Sequence, residues 1–184
     1  MYELTQSSAM VGYIALAEFF PMFFLAFVGG AIADSFDKRK ILRLTEIGQV
    51  LTTGIIFVNA LLPNPKIWVI FLVAALHAGF AALQRPAFES YIQKVIPPDQ
   101  MAAVMALNSM RWSIGAIISP AIAGIITTSC GVSIAYGIDF VSFAAALIAV
   151  FMLNRVAVPE NADKPSLKSI LEAWRYGLSR QYLL

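Results

Sequence analysis

The chain is poor in the residues from which most soluble chemistry is built. It has one cysteine and one histidine, which excludes a disulfide scaffold, a zinc cluster and a Cys/His nucleophile pair. Charged residues make up 13% of it, against roughly 25% in an ordinary globular domain. So few charges, with a net charge of +2, exclude a disordered chain and a nucleic-acid binder. No His-Glu-x-x-His, Gly-x-Ser-x-Gly or phosphate-cradling glycine loop occurs. The expectation is a protein that is not an enzyme and needs no metal and no cofactor. What the chain has in abundance is apolar residues: 59% of its 184 positions, with a mean hydropathy of +0.75. A water-soluble fold of this size would leave much of that surface exposed, so the class that remains is the multi-pass membrane protein.

A bilayer core needs about 20 mostly apolar residues per helix, and five such runs are present. The first, about 8–32, is broken only by Glu18, and the second, about 44–62, only by Glu46. The third, about 67–85, contains His77 and meets its first formal charge at Arg85. The uncharged stretch from Trp112 to Ile138 is too long for one span, and Ser129-Cys130-Gly131 splits it. Two further spans follow, about 103–128 and 133–153. Leu62-Pro63-Asn64-Pro65-Lys66 and Pro97-Pro98-Asp99 read as turns. Residues 1–153 thus form a transmembrane bundle. Residues 154–165 carry Pro159, Glu160, Asn161, Asp163 and Pro165, the composition of a solvated linker. Beyond it Leu167, Ile170, Leu171, Trp174 and Leu178 recur at helical spacing, so 154–184 is a linker and an amphipathic helix lying on the cytoplasmic membrane surface.

Basic residues retained on the cytoplasmic side set orientation. Lys38, Arg39, Lys40, Arg43, Arg85, Lys94, Arg155, Lys164, Lys168, Arg175 and Arg180 fall on one side, and only Lys66 on the other. That puts residues 1–7 outside, although Met1-Tyr2-Glu3-Leu4-Thr5 has neither the basic start nor the cleavage site of a signal peptide. The simplest expectation is a fragment. A preceding helix, whose outer end is Tyr2–Ser8, is missing.

The most specific segment is Gly29-Gly30-Ala31-Ile32-Ala33-Asp34-Ser35-Phe36-Asp37-Lys38-Arg39-Lys40. It resembles the G-x-x-x-D-x-x-G-R-R/K loop between the second and third helices of the major facilitator superfamily. Gly30, Asp34 and Arg39 match, Lys38 matches in charge, and Asp37 replaces the usual glycine. The resemblance implies a gating loop whose Asp34 latches onto the other half of a transporter. Arg85-Pro86-Ala87, Val95-Ile96-Pro97-Pro98-Asp99, Ala106-Leu107-Asn108-Ser109 and Asp139-Phe140-Val141-Ser142-Phe143 resemble one branch, that of the enterobactin-exporter-like, macrolide-efflux-like and transmembrane secretion effector proteins. Gly115-Ala116-Ile117-Ile118-Ser119-Pro120-Ala121-Ile122-Ala123-Gly124 is similar to the superfamily's antiporter motif, with Ser119 and Ala123 in place of glycines. Gly115, Ser119 and Ala123 make a small-residue stripe for close helix approach, ending near Gly124, and Pro120 bends the helix. Plain packing and a coupling role both fit that stripe.

Ionisable groups at membrane depth are costly and therefore candidates for function. Glu18 lies about ten residues, roughly 15 Å, from the outer end of its span, with Pro21 about one turn on. It fits a carboxylate that exchanges a proton, or a structural glutamate hydrogen-bonded to a neighbour. Asp139 and His77 are further candidates for proton coupling, each with a packing or capping role as the alternative. Glu46, one turn from the inner end of its span, reads as the partner of Arg43 in a local ion pair. Arg111 reads as snorkelling to the inner surface. Trp112 beside it reads as packing against lipid or core, or stacking on an aromatic substrate.

The resemblance implies an all-α membrane protein, its five transmembrane helices the second to sixth of a twelve-helix major facilitator fold. The expected function is secondary active efflux of a small molecule from a bacterial cell, across the inner membrane, by alternating access. The expected partners are the lipid bilayer, the small-molecule substrate, the proton, and the missing first helix and C-terminal half of the same chain. Two readings compete with it: a facilitator or lipid flippase without proton coupling, and a membrane-embedded enzyme or scaffold.

Overall fold

The computed structural model describes the backbone of residues 1–153, and the side chains of these except at 2–3 and 26–35. The linker and amphipathic helix expected over 154–184 lie outside the described residues. A short turn, α1 (Tyr2–Thr5), precedes five long helices: α2 (Ser8–Ser35), α3 (Lys38–Ala60), α4 (Ile67–Val95), α5 (Met101–Cys130) and α6 (Val132–Met152). Each of the five carries a window long and apolar enough to cross a membrane. The structure among the described residues is all-α.

The helices outrun the apolar runs where charge, rather than a loss of helicity, ends the run. The third span was expected to stop at Arg85, yet α4 continues through Pro86 to Val95. Likewise α3 begins at Lys38, six residues before the expected 44. Its start is set by Asp37, whose Oδ1 accepts the Arg39 backbone N–H at 3.0 Å, the short acidic N-cap that unpaired first-turn donors favour. The aspartate that departs from the motif's glycine therefore caps a helix. Between α5 and α6 the chain reverses at Gly131 alone, with φ of +90°, a backbone conformation that suits glycine.

α3 is the centre of the packing. It packs against both α4 and α6, α2 packs against α4, and α5 touches α6. Its buried face is largely polar: Thr45, Glu46, Gln49, Thr52, Thr53 and Asn59 are buried beside Ile41, Leu42 and Ile56, while Leu44, Leu51, Ile55 and Val58 are exposed. In a bilayer that inversion is tolerated, because lipid takes the apolar side while the polar one is turned toward neighbouring helices. Close approach is secured by glycines. A Cβ at Gly48 would run into the Phe80 ring of α4. Gly54 of α3 receives Phe140 of α6, Gly137 of α6 receives Phe57 of α3, and the two rings stack with centroids 6.3 Å apart.

Both ends of the α3/α6 pair are hydrogen-bonded. At one end Arg39 and Arg43 donate through Nη2 to the Phe151 carbonyl, at 3.2 and 2.8 Å, and the Arg43 guanidinium lies 4.6 Å from the centroid of the Phe151 ring. A small core of Ile41, Leu42, Ala87 and Tyr91, flanked by Val150 and Leu153, lies at this end. At the other end Ser133 Oγ donates to the Ala60 carbonyl at 2.7 Å. There Asn59 also closes the turn into α4, its Oδ1 accepting the Lys66 N–H at 2.9 Å and its Nδ2 donating to the Lys66 carbonyl at 3.3 Å. Asn59→Ala removes both bonds from a buried site. A loss of about 2 kcal/mol is expected, read as a lower unfolding midpoint in a graded detergent titration. An unchanged midpoint would show that water serves the Lys66 backbone equally well.

Candidate functional site

Glu18, His77 and Asp139 come from three different helices. Glu18 sits ten residues past the start of α2, His77 ten past the start of α4 and Asp139 seven past the start of α6. At 1.5 Å per residue these positions are roughly 15, 15 and 10 Å deep. All three helices start on the same side of the bundle, so the groups fall in one layer. The packing of α2 on α4, and of α3 on both α4 and α6, brings them together. They line a cavity of about 360 Å³ with Tyr136 of α6 and Thr53 of α3, its apolar wall including Ile14, Ile56 and Val73.

His77 is the fixed member of this set. Its Nδ1 lies 3.0 Å from Thr52 Oγ1, and its ring meets the Phe143 ring edge-on with centroids 5.2 Å apart. The Thr52 hydroxyl has a single proton, and the Gly48 and Gln49 carbonyls of its own helix lie at 3.0 and 2.9 Å to accept it. The arrangement that satisfies every group has Nδ1–H donating to Thr52 Oγ1. Nε2 is then left with the lone pair, open to a proton. The carboxyl groups of Glu18 and Asp139 line the same cavity as this ring. Two acids, an imidazole and a phenol around one small cavity can hold and pass a proton. Among the described residues no group of three or more metal-ligating side chains occurs.

The helix α2 is held against α4 beside this cavity. Gly79 of α4 is approached by Leu25 and by Pro21, the proline that lies one turn beyond Glu18. The three ionisable groups singled out in the sequence come together at this cavity. Sequence reasoning missed Tyr136, Thr52 and Thr53, whose only signal is the recurrence of small polar residues along α3 at helical spacing.

The other expected sites are arranged differently. Gly30 and Asp34 belong to the last turns of α2, whose side chains lie outside the described residues. Lys38 is buried at the start of α3, and Arg39 reaches the end of α6 as described above. The expected ion pair of Glu46 with Arg43 does not form. Arg43 is drawn to the Phe151 carbonyl, where the unpaired acceptors of a helix end attract cations, and Glu46 instead accepts a hydrogen bond from Gln84 of α4. On α5, Gly115 has only its own Ser119 nearby and Gly124 has nothing within 4 Å of an added Cβ. The stripe of Gly115, Ser119 and Pro120 lines an open groove of about 450 Å³ together with Arg111 and Trp112. Arg111 donates to Asn108 Oδ1 at 3.0 Å. Its guanidinium and that of Arg85 lie 5.6 and 5.8 Å from the Trp112 ring centroid, and Arg85 also pairs with Glu89 at 3.4 Å.

Comparison with known proteins agrees with this architecture. Residues 1–183 match the profile of the family described as transmembrane secretion effector. The chain is 28% identical over 180 residues to the enterobactin exporters of Salmonella paratyphi A and Citrobacter koseri, an alignment covering 96% of this chain and 42% of each relative. It is 27% identical over 184 residues to the enterobactin exporter of Shigella flexneri, covering 98% of this chain and 44% of that one. The chain thus spans less than half the length of these curated relatives.

Proposed function

The chain belongs to the transmembrane secretion effector family of the major facilitator superfamily, and on that premise we propose that it forms most of the N-terminal half of a bacterial inner-membrane efflux transporter. Its five spans are the second to sixth of twelve. A first helix and a C-terminal half complete the bundle and cover the open groove on α5. The two halves rock about a central site and expose a small molecule alternately to either side. No covalent chemistry is involved, and transport is driven by proton antiport.

The observation that carries the proton reading is the meeting of Glu18, His77, Asp139 and Tyr136 at one cavity in the membrane. Groups so costly to place in a bilayer are retained where they do work. A proton entering the cavity meets His77 and the two acids that line it with Tyr136, and its occupancy changes the charge that the neighbouring helices must accommodate. Glu18 is the carboxylate proposed to exchange the proton with the transport cycle. Pro21 lies a turn away and removes a backbone donor from α2, so this helix has a natural place to bend beside it.

The test uses the full-length transporter in liposomes with an entrapped pH dye, and enterobactin, the cargo named for the relatives, as the first compound offered. Glu18→Gln is expected to abolish the proton flux that accompanies export. Proton-coupled export that is unchanged in this variant would remove Glu18 from the mechanism. Export that persists after the proton gradient is collapsed would favour the facilitator or flippase reading of the same fold.

A further inference from the structure

A second buried polar site lies away from the cavity, between α3 and α4 toward the end where α3 begins. Glu46 and Gln49 are each 3% exposed. Glu46 Oε2 accepts from Gln84 Nε2, while Glu46 Oε1 and Gln49 Oε1 are both buried without a hydrogen-bond partner. Two orphaned acceptors three residues apart on one helix face are neighbours, and buried polar atoms are rarely left so. No hydroxyl nearby on α3 is available to serve them. Thr45, Thr52 and Thr53 all donate to carbonyls of their own helix. One hydrogen would repair the pair: a proton on Glu46 Oε1 supplies the donor that Gln49 Oε1 lacks.

The donors that are orphaned lie on the same helix. Arg39 Nε and Arg43 Nε are buried and unpartnered, although both guanidinium groups reach the Phe151 carbonyl through Nη2. Arg43 precedes Glu46 by three residues, so the same face of α3 carries a cation engaged with the end of α6 and an acid engaged with α4. The other charged or titratable groups on the packed helices are engaged or remote. On α3, Asp37 caps the helix and Lys38 and Lys40 sit in its first turn. On α4, His77 is held by Thr52 at the other cavity, Arg85 and Glu89 pair with each other, Tyr91 belongs to the apolar core, and Lys94 lies at the helix end. On α6, Tyr136 and Asp139 belong to the other cavity. On α2 the ionisable groups are Tyr13, Glu18 and Asp34, the last outside the described side chains.

We propose that Glu46 is a proton-binding site, and that release of its proton transfers Arg43 from the Phe151 carbonyl to the Glu46 carboxylate. With the proton bound, Glu46 is held by Gln84 and Gln49, and Arg43 clamps the end of α6. With the proton gone, the carboxylate takes Arg43 and leaves Arg39 as the sole holder of Phe151. The proton balance is simple: Glu46 Oε1–H gives its proton to water, and a buried ion pair replaces two hydrogen-bonded contacts. The site tells the last turn of α6 whether a proton is bound between α3 and α4.

The experiment reads the proton directly, without substrate, so it stands or falls independently of the export mechanism. Infrared difference spectra of the full-length protein across a pH titration are expected to show a carboxylic-acid carbonyl band that is lost in Glu46→Gln. A spin label at Met152→Cys, a position 79% exposed, in a cysteine-free background should gain mobility over the same pH interval. That response should vanish in Glu46→Gln, whereas Arg43→Gln should keep the band and lose the response. Persistence of the band, or of the label response, in Glu46→Gln overturns the proposal. If Glu46→Gln fails to fold, Gln84→Leu serves instead: loss of its N–H should move the band to higher frequency, and an unmoved band overturns the assignment.

Discussion

Gly48→Ala should lower the stability of the bundle by about 2 kcal/mol, within the 1–3 kcal/mol typical of forcing an atom into a packed interface. The added Cβ would overlap three atoms of the Phe80 ring. That ring stands between α3 and α4, so relief needs either a new rotamer in a crowded site or separation of the helices. Separation is the costlier route, because the same interface carries the Glu46–Gln84 and Thr52–His77 contacts. The measurement is the unfolding midpoint in a graded detergent titration. Phe80→Leu added to Gly48→Ala should restore most of the loss, since it removes the colliding atoms. A Gly48→Ala variant as stable as the parent would show that the two helices are not held in close contact there. Gly54 and Gly137 should be more tolerant, because an added Cβ at either finds its nearest ring atom at 3.1 Å.

The second large effect concerns the cavity. If Glu18, His77 and Asp139 hold one proton between them, neutralising His77 or Asp139 should each cost about a hundredfold in proton-coupled export, the lower range for a positioned proton-transfer group. The double variant His77→Gln with Asp139→Asn should cost little more than either single one. Residues that act as a unit lose their function once, and their effects do not add. Export rates in liposomes for the two single variants and the double one give the comparison. A product of the two single losses in the double variant would mean two independent roles and would break up the shared site. Thr52→Val is the milder companion: it removes the acceptor that orients His77 and leaves both acids in place.

Much of this was legible before any coordinates were known. Five long apolar helices follow from run lengths alone, and the depths of Glu18, His77 and Asp139 follow from counting residues along them. Their convergence did not follow, since it depends on which helices touch, and a single sequence does not encode that in any local pattern. The ends of α3 and α4 were misjudged for a physical reason. Charge marks where a chain leaves the hydrocarbon, whereas helices such as α4 continue into the headgroups and beyond. Glu46 was assigned to Arg43 on spacing, which was sound as geometry. The carbonyl at the end of α6 competes for the guanidinium, and only tertiary structure brings it there. The polar face of α3 was also overlooked, because a window average hides a stripe. Thr45, Gln49, Thr52 and Asn59 were in view all along, diluted by Leu44, Leu51, Ile55 and Val58 on the opposite side.

That inverted face has a consequence for how the protein is made. A nascent segment entering the bilayer is judged residue by residue, with a charged side chain near its centre costing about 3 kcal/mol. By mean hydropathy α3 is the least apolar of the five spans, and it presents Glu46, Gln49 and Asn59 together. Before its neighbours arrive these groups face lipid or the insertion machinery. The partners of Glu46 and Asn59, Gln84 and the Lys66 backbone, are synthesised later. Biogenesis is therefore expected to hold α3 until α4 emerges and to release the two as a hairpin. The Asn59–Lys66 bonds are then expected to close that hairpin before the later helices are made.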